Sequence, residues 1–226
     1  MISISSIETN DNAGEGRGGT TSEEVYEKLR LAIVTGEIRP NAPLIEVDLA
    51  NTLKVSRTPI RESLQRLGAD ELIVPRKRGW AVREYSALEI QESYEVRAAL
   101  EGYAAGLAAE RGSDEEIATI AEIQKLRNVE TNPSHEFRVT TNRQFHDGII
   151  KAAHNRRLAD AVYRSGRFYF NERIAANTTR NDFASNQADH SRIVSALQAR
   201  DSDAAEKAMR THILNTFRAF QRYGAM

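Results

Sequence analysis

The stretch Val55-Ser-Arg-Thr-Pro-Ile-Arg-Glu-Ser-Leu-Gln-Arg-Leu67 decides how the first third of the chain is read. Ser56 is a helix N-cap residue, Pro59 is tolerated in a first helical turn, and Ile60, Leu64 and Leu67 recur at helical spacing. The helix therefore has one apolar face, and Arg57 and Arg61, four residues apart, project together from the other. Immediately before it, Ile45 to Leu53 reads as a short helix, with Lys54-Val55 as the turn between the two. Further upstream, Thr21 and Glu24 have capping-box spacing and open a helix that runs to Gly36, followed by the turn-rich Glu37-Ile-Arg-Pro-Asn-Ala-Pro43. Downstream, Leu72 to Tyr85 places two β-rich segments around Arg76-Lys-Arg-Gly79, a two-stranded hairpin. Three helices and a hairpin make a winged helix-turn-helix.

From Ser86 the period changes. Ser86/Glu89 and Ser113/Glu116 again have capping-box spacing, and helices are expected over 86–111, 114–129, 136–154, 156–178 (whole or broken), 184–199 and 202–223. The organisation read from sequence is a disordered tail over 1–20, a winged helix-turn-helix over 21–85 and an all-helical domain over 86–226. The fold class is mainly α.

Composition sets the bounds. A chain of 226 residues accommodates two cores, and 40% hydrophobic with 28% charged residues describes an ordinary soluble protein, expected in the cytoplasm. No apolar run approaches a membrane span, and the polar N-terminus has no signal-peptide profile. With no cysteine there is no disulfide, thiolate metal site or cysteine nucleophile, so any metal needs nitrogen and oxygen ligands. The net charge of −1 is uneven: Tyr26 to Glu84 holds 11 Lys/Arg against 8 Asp/Glu, leaving the remainder at −4.

A helix-turn-helix lays the first turn of its second helix in the major groove of double-stranded DNA. Here that turn carries Arg57 and Arg61, whose forks can each bond a guanine bidentately, and Ser56 and Thr58, which can bond phosphates. Arg66, with Lys77 and Arg78 at the hairpin tip, extends the phosphate footprint, and Gly79 would let the wing backbone approach the duplex. Taken singly, each arginine also reads as a solvated surface charge; it is the combination that carries the assignment. Residues 22–84 resemble the DNA-binding domain of the GntR family of regulators, through the segment at 55–67. The resemblance implies that Arg57, Thr58 and Arg61 read an operator and that Gly79 sits at the wing tip. Many members have arginine where this chain has Val47, so a contact from the preceding helix is not carried over.

Three of the five histidines lie on apolar helix faces: His146 with Ile149, Ile150 and Ala153; His190 with Ile193, Val194 and Leu197; His212 with Ala205 and Met209. Asn142 precedes His146 by one turn. Buried histidines of this kind serve as hydrogen-bonded core residues, and their spacing is no metal motif. Residues 86–223, however, resemble the FCD ligand-binding domain of the FadR branch of GntR regulators, in which one Asp or Asn and three histidines hold a metal. The resemblance implies Asn142, His146, His190 and His212 as ligands of a divalent transition metal, Zn²⁺ first and Ni²⁺ or Mn²⁺ after it, with the neutral Asn weakening affinity. Six helices in this domain lean toward the shorter, metal-binding group rather than the fatty-acid-sensing one.

Arg97 falls on the otherwise buried face of the 86–111 helix, where a guanidinium requires a partner. Two readings stand: an internal pair with Glu101, or capture of a small acid's carboxylate, which the family's corresponding arginine implies. Tyr94, Arg167, Asn171 and Asn177 are further candidates for lining that pocket. The function expected is a homodimeric, ligand-responsive regulator and repressor. An enzyme, namely a metal-dependent hydrolase, is disfavoured because no glutamate stands at motif spacing beside the histidines. A regulator for which the ion itself is the signal, and a purely structural ion, remain as rivals.

Overall fold

In the computed structural model, residues 21–34, 37–130, 133–165 and 180–223 are described, and the chain divides into two compact units at Tyr85/Ser86. The expected tail over 1–20 lies outside the described residues.

In the first unit, α1 (Ser22–Val34) is capped as its spacing predicts. The Thr21 amide donates to Glu24 Oε2 at 3.0 Å and the Glu24 amide to Thr21 Oγ1 at 3.3 Å. Two further helices, α2 (Glu46–Leu53) and α3 (Arg57–Ala69), are joined through Lys54, whose left-handed backbone (φ 53°, ψ 40°) makes the tight turn. Val25, Leu29 and Ile33 of α1, Leu49 of α2 and Ile60, Leu64 and Leu67 of α3 are buried together as the core of this unit. Ser56 occupies the N-cap position of α3 with extended backbone, but its hydroxyl makes no capping bond and stays exposed.

The wing departs from the sequence expectation by one strand. Besides β2 (Ile73–Pro75) and β3 (Trp80–Val82), the segment Pro43–Leu44 forms β1, and the order is β1-β3-β2 with both pairings antiparallel. Two residues carry no readable alternation, and Pro43 cannot donate to a ladder, so its place at an edge is the one open to it. Leu44 is fully buried.

The second unit is a helical bundle: α4 (Ala87–Arg111), α5 (Asp114–Val129), α6 (His135–Ala152), α7 (Arg156–Arg164), α8 (Arg180–Gln198) and α9 (Ser202–Tyr223). Ser86 and Ser113 each complete a reciprocal capping box, with Glu89 and Glu116. α4 is the central element. Its small residues Ala98, Gly102, Ala105 and Ala109 are buried, and a side chain on Gly102 would run into Arg210 of α9. Ala104 and Leu107 of α4, Ile150 and Ala153 at the end of α6, and Leu158 and Val162 of α7 form an apolar core cluster. α7 ends at Arg164, where the Ser165 amide donates to the Ala161 carbonyl and the Ser165 hydroxyl to the Val162 carbonyl; residues 166–178 of the helix expected over 156–178 lie outside the described residues. α8 starts at Arg180, four residues before the expected start.

Candidate functional site

α6, α8 and α9 each bring one histidine to a common point inside the bundle. His146, His190 and His212 are at most 2% exposed. Nε2 of His212 lies 3.3 Å from Nε2 of His190 and 3.3 Å from Nε2 of His146. Phe145 stacks on the His190 ring at 4.0 Å between centroids, 8° from parallel, and fixes its plane.

Each imidazole turns its other nitrogen outward to an oxygen. Nδ1 of His146 lies 2.7 Å from Glu101 Oε2 and can only donate there, because a carboxylate only accepts. Nδ1 of His190 lies 3.2 Å from Gln124 Oε1, whose amide nitrogen is committed as donor to Asn128 and to the Gln187 carbonyl. Nδ1 of His212 faces Asp189 Oδ2 at the longer distance of 3.9 Å, and Asp189 is held by Asn215 and Arg192. With His146 and His190 protonated on Nδ1, two Nε2 lone pairs converge on the third ring. Burial, followed by the charges of His212, Arg127 and His146, holds the His190 pKa well below the usual imidazole value.

This donor set fits a metal ion. Nitrogen ligands about 2.0–2.1 Å from a tetrahedral Zn²⁺ stand about 3.3 Å apart, which is the spacing of the two close Nε2 pairs here. Asn142 is half-buried one turn before His146 on α6, and its amide makes no hydrogen bond with the described residues.

Arg97 is 1% exposed and joined to the same network. Its Nε donates to Glu101 Oε1 at 3.0 Å, so one carboxylate holds both Arg97 and His146. The internal pair weighed from sequence is therefore formed, yet it leaves Arg97 Nη1 buried without an acceptor among the described residues. Tyr94, also fully buried, packs its ring on Phe217 and lies 5.0 Å from the Arg97 guanidinium; burial pushes its phenol up to about 12, against the opposing effect of Arg97. Arg167, Asn171 and Asn177 lie outside the described residues. Three participants were missed from sequence: Gln124, Asp189 and the buried Arg127, which bonds Gln187, Thr141 and Asn186. Only Asp189, adjacent to His190, had a positional cue.

In the first unit, Arg57, Thr58 and Arg61 are exposed on α3, but the arginines are not free. Both meet Glu46 at the start of α2, at 3.3 Å and 3.0 Å. Arg66, expected to reach phosphate, is paired with Glu23 and lies 3.8 Å over the Tyr26 ring. Lys77 and Arg78 are exposed and make no ion pair with the described residues. Gly79 has φ +76°, and a Cβ there would stand 2.6 Å from the Leu44 carbonyl oxygen, so the wing's own geometry requires glycine at this position.

Comparison with known proteins agrees with both units. The chain is 26% identical over 194 residues to the HTH-type transcriptional regulator YdhC of Bacillus subtilis (strain 168), covering 84% of this chain and 86% of that one. It is 26% identical over 215 residues to the HTH-type transcriptional repressor GlaR of Escherichia coli (strain K12), covering 89% and 96%. The solved structure of E. coli McbR/YncC superposes with a TM-score of 0.76 at 22% identity, over 90% of this chain and 99% of that one, which establishes the fold. The family pattern for bacterial regulatory proteins of the gntR family matches residues 21–82 and that for the FCD domain matches residues 92–215; the chain belongs to the GntR family of transcription regulators, in the group that carries an FCD domain.

Proposed function

We propose that this chain is a ligand-responsive, DNA-binding transcription repressor that senses a small organic acid through a metal-containing pocket in its helical unit. The observation that carries the reading is the inward convergence of the three Nε2 atoms, with a buried arginine tied to the same carboxylate that orients one of them. His146, His190 and His212, with the Asn142 amide oxygen, would hold a divalent transition metal, Zn²⁺ by donor type and spacing. When bound, the ion would supply a positive centre that takes oxygens of the effector. Arg97 Nη1 would take its carboxylate, and Tyr94 would close the pocket beside it.

The regulator acts as a homodimer on a pseudo-palindromic operator in the cytoplasm, with Arg57 and Arg61 on base edges and Ser56, Thr58, Lys77 and Arg78 on phosphates. Half-sites must match one helical turn, so a small reorientation of the two reading heads on effector binding is enough to weaken the paired contacts. GlaR, to which the chain is similar along almost its whole length, is a repressor, and that favours repression here. A hydrolase is disfavoured by the carboxylates themselves: Glu101 is committed to Arg97 and His146, and Asp189 to Asn215 and Arg192, so neither stands ready as a general base.

The test is thermal unfolding against a panel of small organic acids, with added Zn²⁺ and after chelation. An acid that raises the midpoint of the metal-loaded protein alone, with the shift lost in Arg97→Ala, supports the reading. Stabilisation by metal with none by any acid overturns the acid-sensing part and leaves an ion that is structural or is itself the signal.

A further inference from the structure

Glu46 lies outside the set of residues assigned to DNA above, yet both base-reading arginines converge on it. Arg57 Nη2 lies 3.3 Å from Glu46 Oε2, while Arg61 places Nη2 3.0 Å from Oε2 and Nε 3.2 Å from Oε1. The arginine side chains are 59% and 56% exposed and that of Glu46 24%. Ion pairs this exposed contribute little to folding. Stability therefore does not account for a carboxylate set between two cations on the surface that has to meet a polyanion.

The wing is built the opposite way: Arg76, Lys77 and Arg78 are exposed and carry no counter-charge among the described residues. The wing's cations, suited to phosphate, thus carry no counter-charge among the described residues, while the α3 arginines suited to bases are held. The atoms used on Arg61 explain what the hold can do. Glu46 occupies the side edge, Nε and Nη2, and leaves the end edge, Nη1 and the second Nη2 hydrogen, which is an edge that can meet guanine O6 and N7. An arginine without such a hold beside a duplex is free to swing to a phosphate, a contact blind to sequence.

The geometry points to Glu46 as a specificity-determining positioning residue of the DNA-binding unit, which holds Arg57 and Arg61 with their free edges toward the bases and opposes their capture by phosphates. This rests on the base-reading role proposed for Arg57 and Arg61.

The experiment lets the full-length protein select its site from a randomised duplex pool, then compares affinity for the selected duplex with affinity for the unselected pool across a salt series. Glu46→Gln is expected to bind the unselected pool several-fold tighter, with a log K against log salt slope steeper by about 0.9 for each arginine that moves to a phosphate. Its selected-to-unselected ratio is expected to fall about tenfold, the scale of losing one good base contact. Glu46→Asp keeps the charge but cannot span both arginines: its ratio should fall while its affinity for the unselected pool stays near wild type. A wild-type ratio in both variants overturns the proposal. So does a parallel loss of both affinities that tracks a lowered melting temperature, which would make Glu46 merely structural. If the wild-type protein enriches no sequence, or Arg57→Ala and Arg61→Ala leave its ratio unchanged, the base-reading assignment falls first and the role of Glu46 with it.

Discussion

Nδ1 of His146 stands 2.7 Å from Oε2 of Glu101, with both side chains 1% exposed, and the other oxygen of that carboxylate takes Nε of Arg97. One buried anion thus sets the tautomer of a candidate metal ligand and holds the candidate acid-binding cation. Oriented outer partners of this kind govern how well an imidazole serves a metal.

Glu101→Gln removes the charge but keeps the shape. Its amide can offer oxygen to only one of its two partners, so either the Arg97 Nε–H or the His146 Nδ1–H loses its acceptor. Zn²⁺ affinity, read by chelator competition, should fall roughly 10–100-fold. Urea unfolding of the metal-free protein should show a loss of about 3–5 kcal/mol, the scale of leaving a buried charge unpaired. Zn²⁺ affinity within about twofold of wild type would remove Glu101 from any part in the site.

The buried His190 makes stability depend on pH. Burial, reinforced by His212, Arg127 and His146, lowers its folded pKa well below 6.5, while the unfolded chain keeps the ordinary value. Below about pH 6.5 the unfolded state binds the extra proton and the folded state does not, so stability is full above that pH and is lost as pH falls through it. The loss should approach about 1.4 kcal/mol per pH unit for this one group. Chelated wild type should melt progressively lower from pH 7.5 to 5.5, and His190→Gln should flatten that slope. An unchanged slope in the variant would place the acid sensitivity elsewhere.

What the sequence made legible was whatever is written in period or in caps. The apolar stripe Ile60-Leu64-Leu67, the boxes at Ser86/Glu89 and Ser113/Glu116, and the inward histidines on three helices are local patterns, and the structure places each where its pattern puts it. Interactions that join distant segments left no trace of that kind. β1 is two residues long and exists because β3 offers it an edge; Gln124 reaches His190 across 66 positions; Glu46 meets Arg61 across a turn. The end of α7 did carry a mark in the sequence, Gly166 two positions past Arg164, although the helix was expected over 156–178, whole or broken.

Gly79 offers a test of the wing alone. Any side chain there must adopt φ near +76° and press its Cβ toward the Leu44 carbonyl. Gly79→Ala is expected to cost about 1–2 kcal/mol, the usual penalty of a left-handed L-residue, with the clash added. The chain's single tryptophan, Trp80, is the next residue and lies in β3, so its emission reports this unit directly. Denaturation followed at Trp80 should shift to lower urea, while helix loss from the second unit stays in place. Coincident, unshifted transitions would mean the wing tip accommodates the methyl group.

Base-reading and phosphate-holding residues separate by salt. On the proposed assignment Arg61→Ala removes a contact that depends on which base pair is present, so it should cost about 1–3 kcal/mol on the selected duplex and far less on an unselected pool. Lys77→Ala removes a charge that is exposed and without an ion pair among the described residues, so it should weaken both by a similar factor and reduce the salt slope by about 0.9. Measured side by side on the same two DNAs, the variants should fall into different classes, one losing the ratio and the other the slope. If Arg61→Ala behaves like Lys77→Ala, α3 grips the backbone and sequence is read by some other part of the unit, which would also leave Glu46 with nothing to orient.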